Sequence, residues 1–456
     1  MKLFRQVLFW MHLCAGLTAG LVVAIMSITG VGLMYQRQMQ LWADRGDWRA
    51  PAAATPLPIE QLVAKLQQAE PGATPTTVTL RSDRNQLATV AFTGSRTGNV
   101  LVDPYTAAIV PAGPNGERLR STLRWMTEWH RYLAAAGESR ASGRMLTGAS
   151  NLLFFFIVLS GAYLWWPKSW RWAAVKSIVL FRGGLQAKPR DFNWHNVIGF
   201  WSAIPLAVVV GSGVVISYPW ASNLVYRVAG EQPPQAAPRG GGPGPAGEGR
   251  GARGADAGLM PGSRNEGSGA GSPALVTAGL DTVVANASSQ FPAWTSLAVR
   301  IPATDRAPVT ITVDEGDGGQ PQKRGTLTMD RATAAVTKWE PFSGQTTGRR
   351  WRSYLRFAHT GEVLGLTGQT IAGVVSFGAV FLVYTGFALS SRRFLAWMQR
   401  RRRVGSDRGR TGVAPGSDRG QTGVAPGSDA CLTPSNYKTG DSQRSACSRL
   451  TPLRRA

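Results

Sequence analysis

Four stretches of this chain carry almost no charge: Leu13 to Tyr35, Met145 to Trp166, Val197 to Tyr218 and Val363 to Leu389. Each is about 20 residues or longer, the length an α-helix needs to cross a hydrocarbon core of roughly 30 Å. One such run could be a buried core helix; four predict a membrane bundle. The first run follows Lys2 and Arg5 and resembles a signal peptide in position. It is too long for a signal core and no small-x-small cleavage site closes it, so a retained helix is expected.

The net charge of +24 would suit a nucleic-acid partner, but the basic residues flank the apolar runs, as at membrane surfaces. The expected surroundings are membrane lipid, with no nucleic acid. The short loop 167–191 holds Lys168, Arg171, Lys176, Arg182, Lys188 and Arg190 against Asp191, and Arg392, Arg393 and Arg400 to Arg403 follow the last run. Positive residues favour the cytoplasmic side, which predicts both termini inside and the long loops outside. Arg118, Arg120 and Arg124, and Arg349, Arg350, Arg352 and Arg356, lie on the other side of the apolar runs. They end long loops, which cross largely regardless of charge.

The chain is written twice. A shift of 183 residues sets His12 on His195, Gly16 on Gly199, Thr29-Gly30 on Ser212-Gly213 and Tyr35 on Tyr218. "VDPYTAAIV" at 102–110 matches "MDRATAAVT" at 329–337. Amphipathic helix patterns (Ile59 to Leu66, Leu275 to Ala287) and alternating segments such as "TTVTL", "ATVAF", "SLAVRI" and "PVTITV" precede them. The second and fourth apolar runs match more loosely, each following an Arg-rich, histidine-bearing segment and each holding a small pair, Ser160-Gly161 or Thr385-Gly386. The four Ser/Thr-Gly pairs suit close helix packing.

The expected fold is an α-helical integral membrane bundle of four main transmembrane helices, made of two tandem repeats, with two small α+β modules outside. In order these are helix 1 (1–40), module 1 (55–115), a histidine-bearing segment with helix 2 (118–166), the basic loop (167–191), helix 3 (192–222), a Gly/Pro-rich disordered insertion (231–272), module 2 (273–342), a histidine-bearing segment with helix 4 (347–391), and a basic then disordered tail (392–456).

The chain has four histidines, one near an end of each apolar run. On the expected topology His12 and His195 lie near the inner surface, and His130 and His359 near the outer. A lone histidine at a helix mouth is more often interfacial, but intramembrane ionisable groups are rare and default to function. Two imidazoles from different helices at each end suit the two faces of a b-type haem iron. Gly16 and Gly199, one turn beyond the inner histidines, would leave room for a porphyrin, and the outer arginines would meet its propionates. A proton relay would also use histidine, but only Glu362 approaches an apolar run. Zinc would want three or four ligands together. Cys14, Cys431 and Cys447 form no CxxCH or CxxC motif, so haem would be held non-covalently. No nucleotide-binding fingerprint is present, so the electron donor would be external, a quinol or a reductase.

"WMHLCAGLTAG…SITGVGLMY", "WHRYL…LSGAYLWWP", "NWHNVIGFW…GSGVVISY" and "FAHTGEVLG…YTGFALSSRR" together resemble the PepSY-associated transmembrane helix family, which includes iron-regulated membrane proteins. The resemblance covers roughly residues 1 to 400, without the Gly-rich insertion, and makes the outer modules PepSY-like. It implies a bacterial inner-membrane protein holding two b haems on His12, His130, His195 and His359, and an enzyme that reduces a ferric siderophore. Some relatives carry a fused flavodoxin-like portion, whereas this chain ends in a polar tail. The other readings are a non-enzymatic PepSY anchor that binds or regulates an envelope peptidase, and a transporter with histidine proton carriers.

Overall fold

The helices carrying the first three apolar runs begin earlier than the runs themselves, which takes the inner histidines well inside them. A computed structural model describes residues 2–111, 113–167, 171–234, 277–302, 304 and 306–410. The expected disorder of residues 235–272 and 411–456 lies outside these, as do Lys168, Trp170, Cys431 and Cys447. Residues 1–397 form one unit and 398–456 a second, described only as far as Arg410.

In chain order the elements are α1 (Lys2–Leu33), α2 (Gln36–Arg45), α3 (Ile59–Ala69), β1 (Ala73–Arg81), β2 (Ala88–Gly94), β3 (Gly98–Val102), β4 (Ile109–Val110), α4 (Pro114–Tyr132) and α5 (Arg140–Trp165). Then come α6 (Trp172–Val179), α7 (Ala187–Ser217), α8 (Pro219–Val228), α9 (Leu280–Gln290), β5 (Ser296–Arg300), β6 (Val309–Asp314), β7 (Arg324–Met329), β8 (Val336–Pro341), α10 (Thr347–His359) and α11 (Gly365–Arg410).

Among the described residues four segments are long and apolar enough to cross a membrane: Leu3–Leu33, Gly137–Trp165, Ala187–Ser217 and Glu362–Arg401. Their outward faces expose large apolar side chains such as Leu21, Leu159, Ile204, Val374 and Phe377, which suits lipid. Inside, Ala19 and Val23 of α1, Phe154 of α5, Leu206 and Val210 of α7, and Val375 and Ala379 of α11 form one apolar core. Glycines bring the helices close: an added Cβ at Gly211 would lie 3.0 Å from the Phe155 ring, and one at Gly378 3.2 Å from Ile198. The basic segment after the fourth run is helical through Arg410 rather than an immediate tail.

The histidine-bearing segments before α5 and α11 are separate helices. Leu133 (φ 52°), Ala134 (φ 58°) and Gly137 (φ 57°) break the chain after α4, and Gly361 (φ 77°) and Gly365 (φ 61°) break it after α10. The left-handed conformation costs an ordinary residue roughly 1–2 kcal/mol, so the Leu133-Ala134 turn is held by its surroundings. The Leu133 N–H donates to Trp129 O at 3.1 Å and that of Ala134 to Glu128 O at 3.2 Å.

The outer segments contain the expected strands, but not as two separate sheets. One antiparallel sheet of eight strands runs β4-β3-β2-β1-β5-β6-β7-β8. Its halves join where β1 pairs β5, with Val78 opposite Val299 and Leu80 opposite Leu297. Each half would otherwise leave an open edge strand, and mutual pairing removes both. Helices α3 and α9 cover one face, burying Leu62, Val63 and Leu66, and Leu280 and Val283, against Val78, Phe92, Leu297, Ile311 and Leu327. Their N-termini exchange carboxylates: the Glu60 N–H donates to Asp281 Oδ1 and the Asp281 N–H to Glu60 Oε1, both at 3.2 Å. Acidic groups there favour the helix dipole. The repeated "VDPYTAAIV" and "MDRATAAVT" elements are equivalent hairpin turns with left-handed alanines, Ala107 (φ 65°) and Ala334 (φ 52°). In the second turn, the Thr333 backbone N–H and hydroxyl hold the Asp330 carboxyl below the usual carboxylate range.

Strand order, reciprocal capping and matching turns relate the halves by an approximate two-fold axis. The sheet is fastened to the bundle end from which α4 and α10 depart. Arg37, just past α1, donates to Asp317 O at 2.6 Å and lies 3.6 Å from Glu362, and Gln322 donates to Val363 O at 3.1 Å.

Candidate functional site

The four histidines gather as two pairs at opposite ends of the bundle. His12 of α1 reaches Ser160 near the end of α5, with Nδ1 2.9 Å from the hydroxyl. His195 of α7 reaches Thr385 of α11 in the same way, again at 2.9 Å. Both lie at the end of the bundle where α1 and α7 begin and α5 ends. At the sheet end, His130 of α4 folds back onto α1, with Nδ1 2.9 Å from Met26 O and 3.1 Å from Thr29 Oγ1. His359 of α10 folds back onto α7, with Nδ1 2.8 Å from Val209 O. The His130 and His359 ring centres are 6.2 Å apart, their planes inclined at 59°. Each pair therefore takes one histidine from each half of the repeat.

These hydrogen bonds fix the tautomers. Met26 O and Val209 O can only accept, so Nδ1 of His130 and of His359 carries the proton. Ser160 gives its own proton to Ile157 O at 3.2 Å, and Thr385 gives its to Phe381 O at 2.7 Å. Their oxygens are left to accept from Nδ1 of His12 and His195. In all four rings Nε2 then bears a lone pair, and among the described residues no polar group bonds it. Neutral imidazole with Nδ1–H hydrogen-bonded and Nε2 open is the form that binds metals.

A metal held between two Nε2 atoms at about 2 Å from each, with each ring centre about 1 Å further, separates the ring centres by about 6 Å. The His130–His359 spacing of 6.2 Å fits. At the other end, an added Cβ on Gly16 would meet nothing within 4 Å, and one on Gly199 only Leu382 at 3.7 Å. Each glycine lies one turn from its histidine on the same helix face, so there is room beside both rings.

Three of the seven arginines that precede the second and fourth runs bond other groups. Arg120 pairs with Asp44, Arg350 donates to Ser343 O at 3.2 Å, and Arg352 donates to the Ser222 hydroxyl at 2.7 Å. Arg356, one turn before His359 on α10, and Arg131, beside His130, are the basic residues nearest the outer pair in the chain. Burial pushes the Arg356 guanidinium below its usual value, while Glu362 opposes the shift. At the other end Arg393 lies over Phe9 and Trp10 at 5.0 and 4.9 Å, and Arg392 and Arg190 both pair with Asp191.

Residues 9–405 match the model of the PepSY-associated TM region. The chain belongs to this family. No curated protein matches the sequence. The match spans both halves of the chain, the four apolar helices and all four histidines, so this PepSY-associated TM protein is a multi-pass membrane protein. Sequence reasoning picked out the histidines but missed the partners of their Nδ1 atoms. The signal was present: the Ser/Thr-Gly pairs recur with the histidines in both halves.

Proposed function

We propose that this protein is an electron carrier of the bacterial inner membrane. It holds one b-type haem between His12 and His195 and a second between His130 and His359, and delivers electrons to a ferric chelate on the sheet side. The observation that carries this reading is the arrangement of four imidazoles as two pairs, each ring bonded at Nδ1 and, among the described residues, none at Nε2. A haem with two imidazole ligands supplies reversible one-electron transfer at a six-coordinate iron.

The chain's own residues do the rest. At the helical rise, Thr29 lies about 25 Å beyond His12 on α1, and Ser212 about 25 Å beyond His195 on α7, so the two sites lie near opposite ends of the bundle. Between them the Val23, Phe154, Leu206, Val210, Val375 and Ala379 core excludes water. Arg131 and Arg356 bring positive charge to the outer pair, where carboxylates of a cofactor or an anionic chelate would be favoured. The basic loop and the segment after Leu389 favour a cytoplasmic His12–His195 end, with the sheet outside. The electron donor is then a membrane quinol or a soluble reductase. Two imidazoles at each end suit a planar cofactor better than zinc, which takes three or four protein ligands.

Delivery to iron is tested by reducing the purified protein anaerobically and adding a ferric hydroxamate with a ferrous-specific trap. The expected result is reoxidation of the protein, with one trapped Fe(II) per electron lost. A reduced protein that stays reduced would contradict chelate reduction.

A further inference from the structure

Four dipeptides that look like helix-packing residues sit against the four histidines, one each. We infer that these Ser/Thr-Gly pairs are histidine seats: Ser160-Gly161 positions His12, Thr385-Gly386 positions His195, Thr29-Gly30 positions His130 and Ser212-Gly213 positions His359. The inference rests on the haem reading above and adds the residues that orient its ligands.

Each seat has the same parts. One is the hydroxyl with the carbonyl three residues before it, one helical turn back on the same face. The other is the glycine that follows. At His130, Nδ1 meets Met26 O at 2.9 Å and Thr29 Oγ1 at 3.1 Å. At His359, Nδ1 meets Val209 O at 2.8 Å, and Ser212 donates to that same carbonyl at 2.8 Å. At His12 and His195 the ring bonds the hydroxyl; that of Ser160 donates to Ile157 O at 3.2 Å, and that of Thr385 shares its proton between Phe381 O at 2.7 Å and Leu382 O at 3.2 Å. The glycine faces Cε1: an added Cβ would lie 3.3 Å from it at Gly161, 3.4 Å at Gly30, 3.1 Å at Gly213 and 3.8 Å at Gly386. Close packing alone requires small residues somewhere along these helices. It does not require one hydroxyl-glycine pair per histidine, on a different helix from that histidine, in all four cases. Held at Nδ1 and packed at Cε1, each ring keeps Nε2 as the nitrogen that no polar group among the described residues bonds. Orientation by a bond to the second ring nitrogen is worth roughly 10–100-fold in metal affinity.

The seats are not equal, and the inequality makes the test sharp. At Thr385-Gly386 the hydroxyl bonds the ring directly while the glycine has slack. At Ser212-Gly213 the ring bonds the carbonyl, and the glycine is tight, its added Cβ also lying 3.0 Å from Asn151 Nδ2. Thr385→Val keeps the shape and removes the hydroxyl. In the purified full chain it should weaken retention of the inner haem roughly 10–100-fold, alter its low-spin electron paramagnetic resonance signal, and spare the outer haem, which reports an intact fold. Thr385→Ser should restore the inner haem. Gly213→Ala should disturb the outer haem more than Gly386→Ala disturbs the inner one, in the order of the two close approaches. Thr385→Val with wild-type haem content, spin signal and midpoint potential overturns the inference, as does Gly386→Ala proving worse than Gly213→Ala. A wild-type protein with two haems and unresponsive seats sinks the inference alone. A wild-type protein without b-type absorbance removes the haem reading and the seats with it.

Discussion

His195→Ala halves the haem content, from two per chain to one. His12 cannot hold a six-coordinate iron alone, and among the described residues no polar group bonds its Nε2 to stand in for the missing ligand. The outer pair is unaffected, because His130 and His359 are seated on Thr29 and Val209, about 20 to 25 Å along the helices from the inner histidines. His12→Ala gives the same spectrum as His195→Ala, and His130→Ala and His359→Ala give the complementary one. His12→Ala combined with His195→Ala removes no more than either alone, whereas His195→Ala combined with His359→Ala removes everything. Haem-to-protein ratios and difference spectra of the six variants check this. Equal loss of both haems from each single variant would contradict the pairing.

The second large effect concerns the sheet. Leu297 is fully buried in β5, opposite Leu80 on β1 and Val313 on β6. Leu297→Ala should cost about 2–5 kcal/mol, through lost burial and the cavity left behind. Where amides exchange through opening of the sheet, hydrogen exchange should quicken roughly 30-fold to several-thousand-fold. Because β1 pairs β5, the loss should reach β1 and β2 of the first half as well as β6 and β7. Acceleration confined to β5–β8 would show two independent modules.

The membrane helices could be read from the sequence because lipid imposes a simple rule: about 20 apolar residues per crossing. Strands such as 76–80 and 308–313 showed themselves by alternation, and the repeat by matched histidines. The single sheet was hidden because the joining of β1 to β5 is a choice between two edges more than 200 residues apart, made by packing under α3 and α9 and not by local pattern. The breaks after α4 were hidden for another reason. Leu133 and Ala134 adopt left-handed backbone that their types disfavour, and the glycine of this break, Gly137, comes only after them. The histidines were legible as a set, being four in number and placed alike. Their seats were not, since Ser160 lies 148 residues from His12 and Thr385 lies 190 from His195. A Ser-Gly in an apolar helix reads as packing until the fold brings a ring to it.

The central claim is that each end of the bundle holds an iron between two imidazoles. The reduced-minus-oxidised spectrum of the wild-type protein, expressed with sufficient haem and purified in detergent, tests it most directly. The account predicts a low-spin b-type spectrum amounting to two haems per chain. A colourless protein, or one haem shared by all four histidines, would contradict it and leave a four-helix anchor carrying an eight-stranded sheet.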